Sequence, residues 1–255
     1  MSEEMKIADY LAKGGVLTSP GNAPPRYRAE LLRMMASFVD SELAGAAGFA
    51  DVINQGPGVK ERIAAARIVM EKTDHADQAL SLMGEFGTNT QKYVTDHPWT
   101  ERLDRDAPVG AERHNRDMRL AVFNYPLAGW TDAVVMNLLM GKAVDVQLAE
   151  YSTISYQPFA DIIRQIRPRE AHHTELAMKG IKLLAALSTD EIEKSIAYWW
   201  PRVASSFGSD TSNRFGTLQA MGLRKLTNAE LRSRWTTQAT AALADLQLTV
   251  PEQKQ

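Results

Sequence analysis

An all-α helical bundle is the fold class that this 255-residue sequence predicts. Three observations lead there. No stretch sustains the apolar–polar alternation of a half-buried strand, and no Asn-Gly turn joins two such stretches. Apolar residues instead recur every three to four positions through most of the chain. Clusters of glycine and proline cut that periodicity into segments of helical length.

The first long helix is expected after Pro24-Pro25, where a proline in the opening turn sacrifices no hydrogen bond. It runs to about residue 53 and stops at Gly56-Pro57-Gly58. A second spans about 59–86 and is closed by Gly87. Residues 88–112 hold two prolines and many charges, so they read as a long connection with room for one short helix. A third helix covers roughly 130–150, after the Asn124-Tyr125-Pro126 break, and a fourth roughly 158–187. Ser188, with Glu191 three residues on, caps a fifth helix, which carries Trp199 and Trp200 and is broken or kinked at Pro201. A last helix follows Thr227-Asn228-Ala229-Glu230 and ends before Pro251, with 252–255 as a frayed tail. The chain thus divides into an N-terminal extension, 1–23, and one helical domain, 24–251.

Hydrophobic residues make up 44% and charged residues 24%, which suits a soluble globular protein and excludes a disordered one. The absence of cysteine excludes disulfides, cysteine-ligated zinc, iron–sulfur clusters and thiol catalysis. Any metal must be held by His, Asp and Glu. A net charge of −2 argues for no nucleic acid and no anionic membrane as partner. The most apolar stretch, 127–149, is interrupted by Asp132, Asn137, Lys142 and Asp145, so it is no membrane span. The N-terminus is acidic and polar rather than a secretory signal, and the expected location is the cytoplasm.

Charged residues enter the apolar stripes. On the first helix the stripe is Leu31, Met35, Phe38, Glu42, Ala46, Phe49 and Ile53. On the second it is Ala64, Ile68, Lys72, His75, Ala79, Leu82 and Phe86. On the fourth it is Phe159, Ile163, Ile166, Glu170, His173, Ala177 and Leu184. Buried charges are costly unless paired, neutralised or metal-bound. One Glu-x-x-His recurs by chance, but charged groups in phase at mid-length on three helices suggest a carboxylate-bridged di-metal site. That pattern wants Glu three residues before His75, and Lys72 stands there. Glu71 is adjacent but about 100° round the helix, so it reaches inward only if the helix rotates or bulges. The third helix's inward face, read as Val134, Leu138, Gly141, Asp145 and Leu148, offers only Asp145 as a fourth carboxylate.

Several segments together carry a resemblance. They are Tyr27-Arg28 and Leu31 ahead of Ser41-Glu42, Phe123-Asn124-Tyr125-Pro126 with Trp130 and Asp132, and Ser155-Tyr156 with Pro158. Glu170-x-x-His173, Trp199-Trp200-Pro201, Phe207-Gly208 and Leu226-Thr227-Asn228 with Glu230-Leu231-Arg232 continue the series. In these the chain resembles the phenylacetic acid catabolic protein family, and within it the catalytic subunits of ring-1,2-phenylacetyl-CoA epoxidases. The resemblance implies a ferritin-like four-helix bundle with additional C-terminal helices. It implies a di-iron centre that activates O₂ on an aromatic acyl-CoA, a metal-free structural paralogue and a reductase as partners. Its ligand positions fall on Glu42, Lys72, His75, Gly141, Glu170 and His173, of which Lys72 and Gly141 have lost the ligand type. Pro168, two residues before Glu170, is a further departure and is expected to kink the fourth helix.

Three functions are then expected to compete. The first is an accessory or scaffold protein with no metal or partial occupancy, Lys72 replacing iron by a salt bridge. The second is an active iron-dependent monooxygenase with an altered shell on an acyl-CoA, with one metal on Glu170, His173 and His75, or two metals if Asp145 and Glu71 move in. The third is a binding module for a CoA ester or hydrophobic acid. Other subunits of a multicomponent complex, or further copies of this chain, are the expected partners. His97 and His114 read as solvent-exposed, His172 as pointing off the inner face, and Arg26, Arg28 and Arg33 as a solvated basic face.

Overall fold

The computed structural model describes residues 3–111 and 117–251. His114 and the tail 252–255 lie outside the described residues. The helices are α1 (Glu3–Ala12), α2 (Pro25–Val52), α3 (Val59–Glu85), α4 (Thr90–Asp96), α5 (Trp130–Tyr151), α6 (Gln157–Ala185), α7 (Thr189–Ser205), α8 (Phe215–Ala220) and α9 (Asn228–Asp245). Among the described residues there is no strand, and the chain is an all-α, ferritin-like bundle with additional C-terminal helices. None of these helices is long and apolar enough to cross a membrane.

The bundle is two antiparallel pairs, α2 with α3 and α5 with α6, laid against each other. Local chemistry sets the ends. Pro24 precedes α2 and Pro25 opens it, while a left-handed Gly87 (φ 90°) follows α3. The Ser188 hydroxyl accepts the Glu191 amide at the start of α7. Thr227 and Glu230 form a reciprocal capping box at the start of α9. α6 and α7 both continue as helix through Pro168 and Pro201, so the fifth helix is not broken at its proline.

α7 and α9 cover the outer side of α5. Trp199, Trp200 and Trp235 are buried there, and the Trp235 indole donates to the Leu139 carbonyl at 2.9 Å. The N-terminal segment packs at the opposite end, with Ile7 and Leu17 buried against α2, α6 and residues 221–223. Arg28 is not free in solvent: it donates to the carbonyls of Pro20 and Ala23 and stacks over Phe86.

Residues 97–111 and 117–127 cross the α2–α5 side of the bundle. A single buried carboxylate anchors them. Asp40 accepts from Tyr93 Oη (3.0 Å), His97 Nδ1 (2.8 Å), Trp99 Nε1 (3.0 Å) and the Met118 amide (2.6 Å). A carboxylate only accepts, so His97 Nδ1 carries the proton in this contact. His97 is therefore a packed connector rather than the exposed residue expected from its loop position. Next to it, Arg119 is buried against Asp117 and ties down the carbonyls of Pro98, Trp99 and Glu101.

Candidate functional site

At mid-length, α2, α3 and α6 bring Glu42, Lys72, His75, Glu170 and His173 into one buried cluster. They meet because each sits on the stripe that its helix turns inward, where i, i+3 and i+4 spacing keeps one face. The Lys72 ammonium donates to Glu42 Oε1 at 3.1 Å and to both Glu170 oxygens at 3.0 and 3.2 Å. His75 Nδ1 lies 3.1 Å from Glu42 Oε2 and 3.1 Å from Glu170 Oε1. His173 Nδ1 is 3.4 Å from Glu170 Oε1, and its Nε2 is 2.6 Å from Glu71 Oε2. The two imidazoles lie nearly parallel with centroids 6.1 Å apart.

The electrostatics follow from burial and pairing. Burial opposes the Lys72 charge, but the Glu170 and Glu42 carboxylates outweigh it and raise its pKa above the ordinary lysine value. His75 behaves alike. Burial disfavours its imidazolium, yet hydrogen bonds and charge from Glu170 and Glu42 raise its pKa to about 9. Burial disfavours the Glu170 carboxylate too, and the Lys72 charge with the two histidine contacts pulls its pKa well below the usual range. The Lys72 ammonium is thus held by the two carboxylates that it faces, which offsets the cost of burying it.

A metal has partial support in this donor set. Glu42, His75 and Glu170 can each place one ligand atom within 4.8 Å of the others. His75 Nε2 and His173 Nδ1 are buried without a hydrogen-bond partner. Three features do not fit a two-metal centre. Lys72 Nζ stands among the three candidate ligands, and an ammonium has no lone pair to give. His75 turns its Nδ1 to both carboxylates, 3.1 Å from each, and is taken up within the cluster. Gly141 offers no donor, and a Cβ built there would stand 2.3 Å from Thr174 Oγ1, so Thr174 fills the space.

The two rescue residues divide. Asp145 does not face the centre: its side chain is 46% exposed, with Arg167 at 3.4 Å and Gln238 Nε2 at 3.2 Å. It lies on the flank of α5 toward α6 and α9, so the inward reading of that face fails at Asp145. Glu71 does reach the cluster, through His173 on the facing helix rather than His75 on its own. His172 points outward as expected, beside Glu175 at 3.5 Å.

The hollows that touch the carboxylates are small. One, beside Lys72, Gly141 and Glu170, and another, beside Glu42, are each about 30 Å³. Each has room for no more than a water or two. Thr174 and Asp40 escape a reading of charged residues on one stripe. Thr174 is one residue past His173, and Asp40 is about 200° round α2 from Glu42. The one signal in the sequence is that 38–42 holds three polar residues between apolar ones, which suits a helix covered on every side.

The family model for "phenylacetic acid catabolic protein" matches residues 13–255. The chain belongs to the phenylacetic acid catabolic protein family. One subunit of the 1,2-phenylacetyl-CoA epoxidase of Escherichia coli (strain K12) is 23% identical over 260 residues. That match covers 99% of this chain and 78% of the relative. In this member of the family the bundle frames a lysine–carboxylate–histidine cluster.

Proposed function

We propose that this protein is a metal-depleted accessory or scaffold subunit of an epoxidase-like assembly for aromatic acyl-CoA breakdown. One observation carries the reading: the Lys72 ammonium lies 3.0–3.2 Å from carboxylate oxygens of both Glu42 and Glu170, in the space a bridging metal would need. The filled space at Gly141 and the small hollows beside the carboxylates support it. The name of the Escherichia coli relative describes one subunit of an epoxidase, which supports partner subunits here, with homo-oligomers as the other form. In this role Glu42, His75 and Glu170 hold a rigid core together, and no chemical step is assigned to them.

Anaerobic loading with Fe(II), followed by desalting and metal analysis, tests this. The expected result is far less than one iron per chain and no oxo-bridge absorption on exposure to air. Stoichiometric iron with that band would overturn the proposal.

A second reading, an iron-dependent monooxygenase with an altered shell, draws on one observation. Glu71 reaches His173 at 2.6 Å and so supplies a further carboxylate beside Glu170 and the two histidines. Two histidines and a carboxylate suit Fe(II). On this reading Glu170→Ala and His173→Ala each abolish both turnover of an aromatic acyl-CoA and iron retention. Unchanged turnover in either variant removes it.

A further inference from the structure

We propose that the groove between the first half of α3 and the second half of α6 binds a small anionic amphiphile. The apolar tail lies inward and a carboxylate head sits between Lys60 and Lys179. The inference is independent of whether the carboxylate cluster holds a metal.

The groove is about 250 Å³, well above the hollows beside the cluster and close to the lower end of ordinary ligand pockets. Its walls are small or apolar: Ala64 and Ile68 on α3, Ala177 and Leu183 on α6. Trp130 and Val134 of α5 form its floor. A Cβ at Gly180 would stand 2.8 Å from Val134, so α5 and α6 touch here, and α3 is the wall that stands off. Leu183 is 59% and Leu187 81% exposed, so apolar surface continues out of the mouth. Such surface is costly to leave in water and favours an apolar occupant.

The head group is argued from charge. Lys60 on one wall and Lys179 on the other line the same groove, and neither pairs with a described carboxylate. Glu61 also lines it, but its Oε2 turns back to the start of α3, 2.5 Å from where a Cβ of Gly58 would stand. A carboxylate there is favoured by the helix N-terminus. Of the charged residues lining the groove, two lysines therefore stand against one carboxylate, which is turned away toward Gly58. An apolar trough with cations on opposing walls complements one apolar tail ending in one negative head.

Calorimetric titration of the full chain with sodium decanoate tests this, with decylammonium and 1-decanol as comparison ligands. The expected result is saturable one-to-one binding of decanoate and at least tenfold weaker binding of decylammonium. Lys60→Glu/Lys179→Glu, two surface changes that spare the core, should weaken decanoate at least tenfold and leave decanol unchanged. Ala64→Trp should block both, with its fold checked by circular dichroism. No saturable decanoate binding, equal binding of decylammonium, or an unaffected lysine double variant would each overturn the proposal. So would binding of an acidic amphipathic peptide without decanoate, which would give the groove to a partner protein.

Discussion

Removing the Lys72 ammonium leaves the Glu42 and Glu170 carboxylates facing each other with almost no exposure. A buried ion pair adds little over an apolar replacement, but breaking one strands a charge and costs about 3–5 kcal/mol. Lys72→Ala is therefore expected to destabilise the fold by about that amount in urea unfolding at pH 7. Much of the loss should return in acid, where one carboxylate takes up a proton. Gly141 is a second residue whose role lies in its neighbour. Restoring a carboxylate by Gly141→Asp drives a Cβ into Thr174 Oγ1, and overpacking of this kind costs about 1–3 kcal/mol. Thermal melts should show Gly141→Asp destabilised and Gly141→Asp/Thr174→Ala largely recovered. An undisturbed single variant would show that Thr174 yields freely. The absence of a side chain at this position is thus held in place by packing.

Among the elements, the crossing made by 97–111 and 117–127 depends most on one side chain. Four donors converge on Asp40, and without it three side chains and a backbone amide lose their acceptor at once. Each stranded buried donor costs about 1–3 kcal/mol. Asp40→Ala is expected to loosen this crossing before the helices melt. Limited proteolysis should cut the variant within 97–118 at protease levels that spare the native protein, while the helical signal in circular dichroism stays near native. α6 makes the opposite point. Pro168 lacks the N–H that would bond the Arg164 carbonyl, yet the helix persists because Ile163, Ile166, Glu170 and His173 are all buried against its neighbours. Tertiary packing outweighs one lost bond within a long helix.

For the whole molecule, the cluster links stability to pH. His75 has a folded pKa of about 9 against 6.5 unfolded, so its stabilisation is full below about 6.5 and is lost as pH rises toward 9. The Glu170 pKa is lowered on folding, so its contribution is present above about 4.5 and is lost as pH falls below. Lys72, raised above its ordinary value, keeps its contribution across this range. Stability should therefore decline between pH 6.5 and 9 by a few kcal/mol, a scale set by about 1.4 kcal/mol for each pKa unit. His75→Gln should flatten that decline in melts across the pH range. A native protein with equal stability at pH 6.5 and 9 would show that His75 is not held protonated. The same packing closes the space beside the carboxylates and leaves the roomy groove at the α3–α6 face.

Periodicity, glycine–proline punctuation and capping chemistry determined the long helices, because these are local properties of neighbouring residues, while the short α1 and α8 were not read from them. The same local signals also determined that Glu42, Lys72, His75, Glu170 and His173 face inward, since 3.6-residue periodicity alone assigns a face. The family was legible in short motifs scattered along the chain. What reaches what was not legible. Glu71 to His173, Thr174 into the space at Gly141, Asp145 out toward Arg167, and His97 onto Asp40 each join residues on different elements. Such pairings depend on the rotation and spacing of whole helices, which are set when the bundle packs and not by any one segment of sequence.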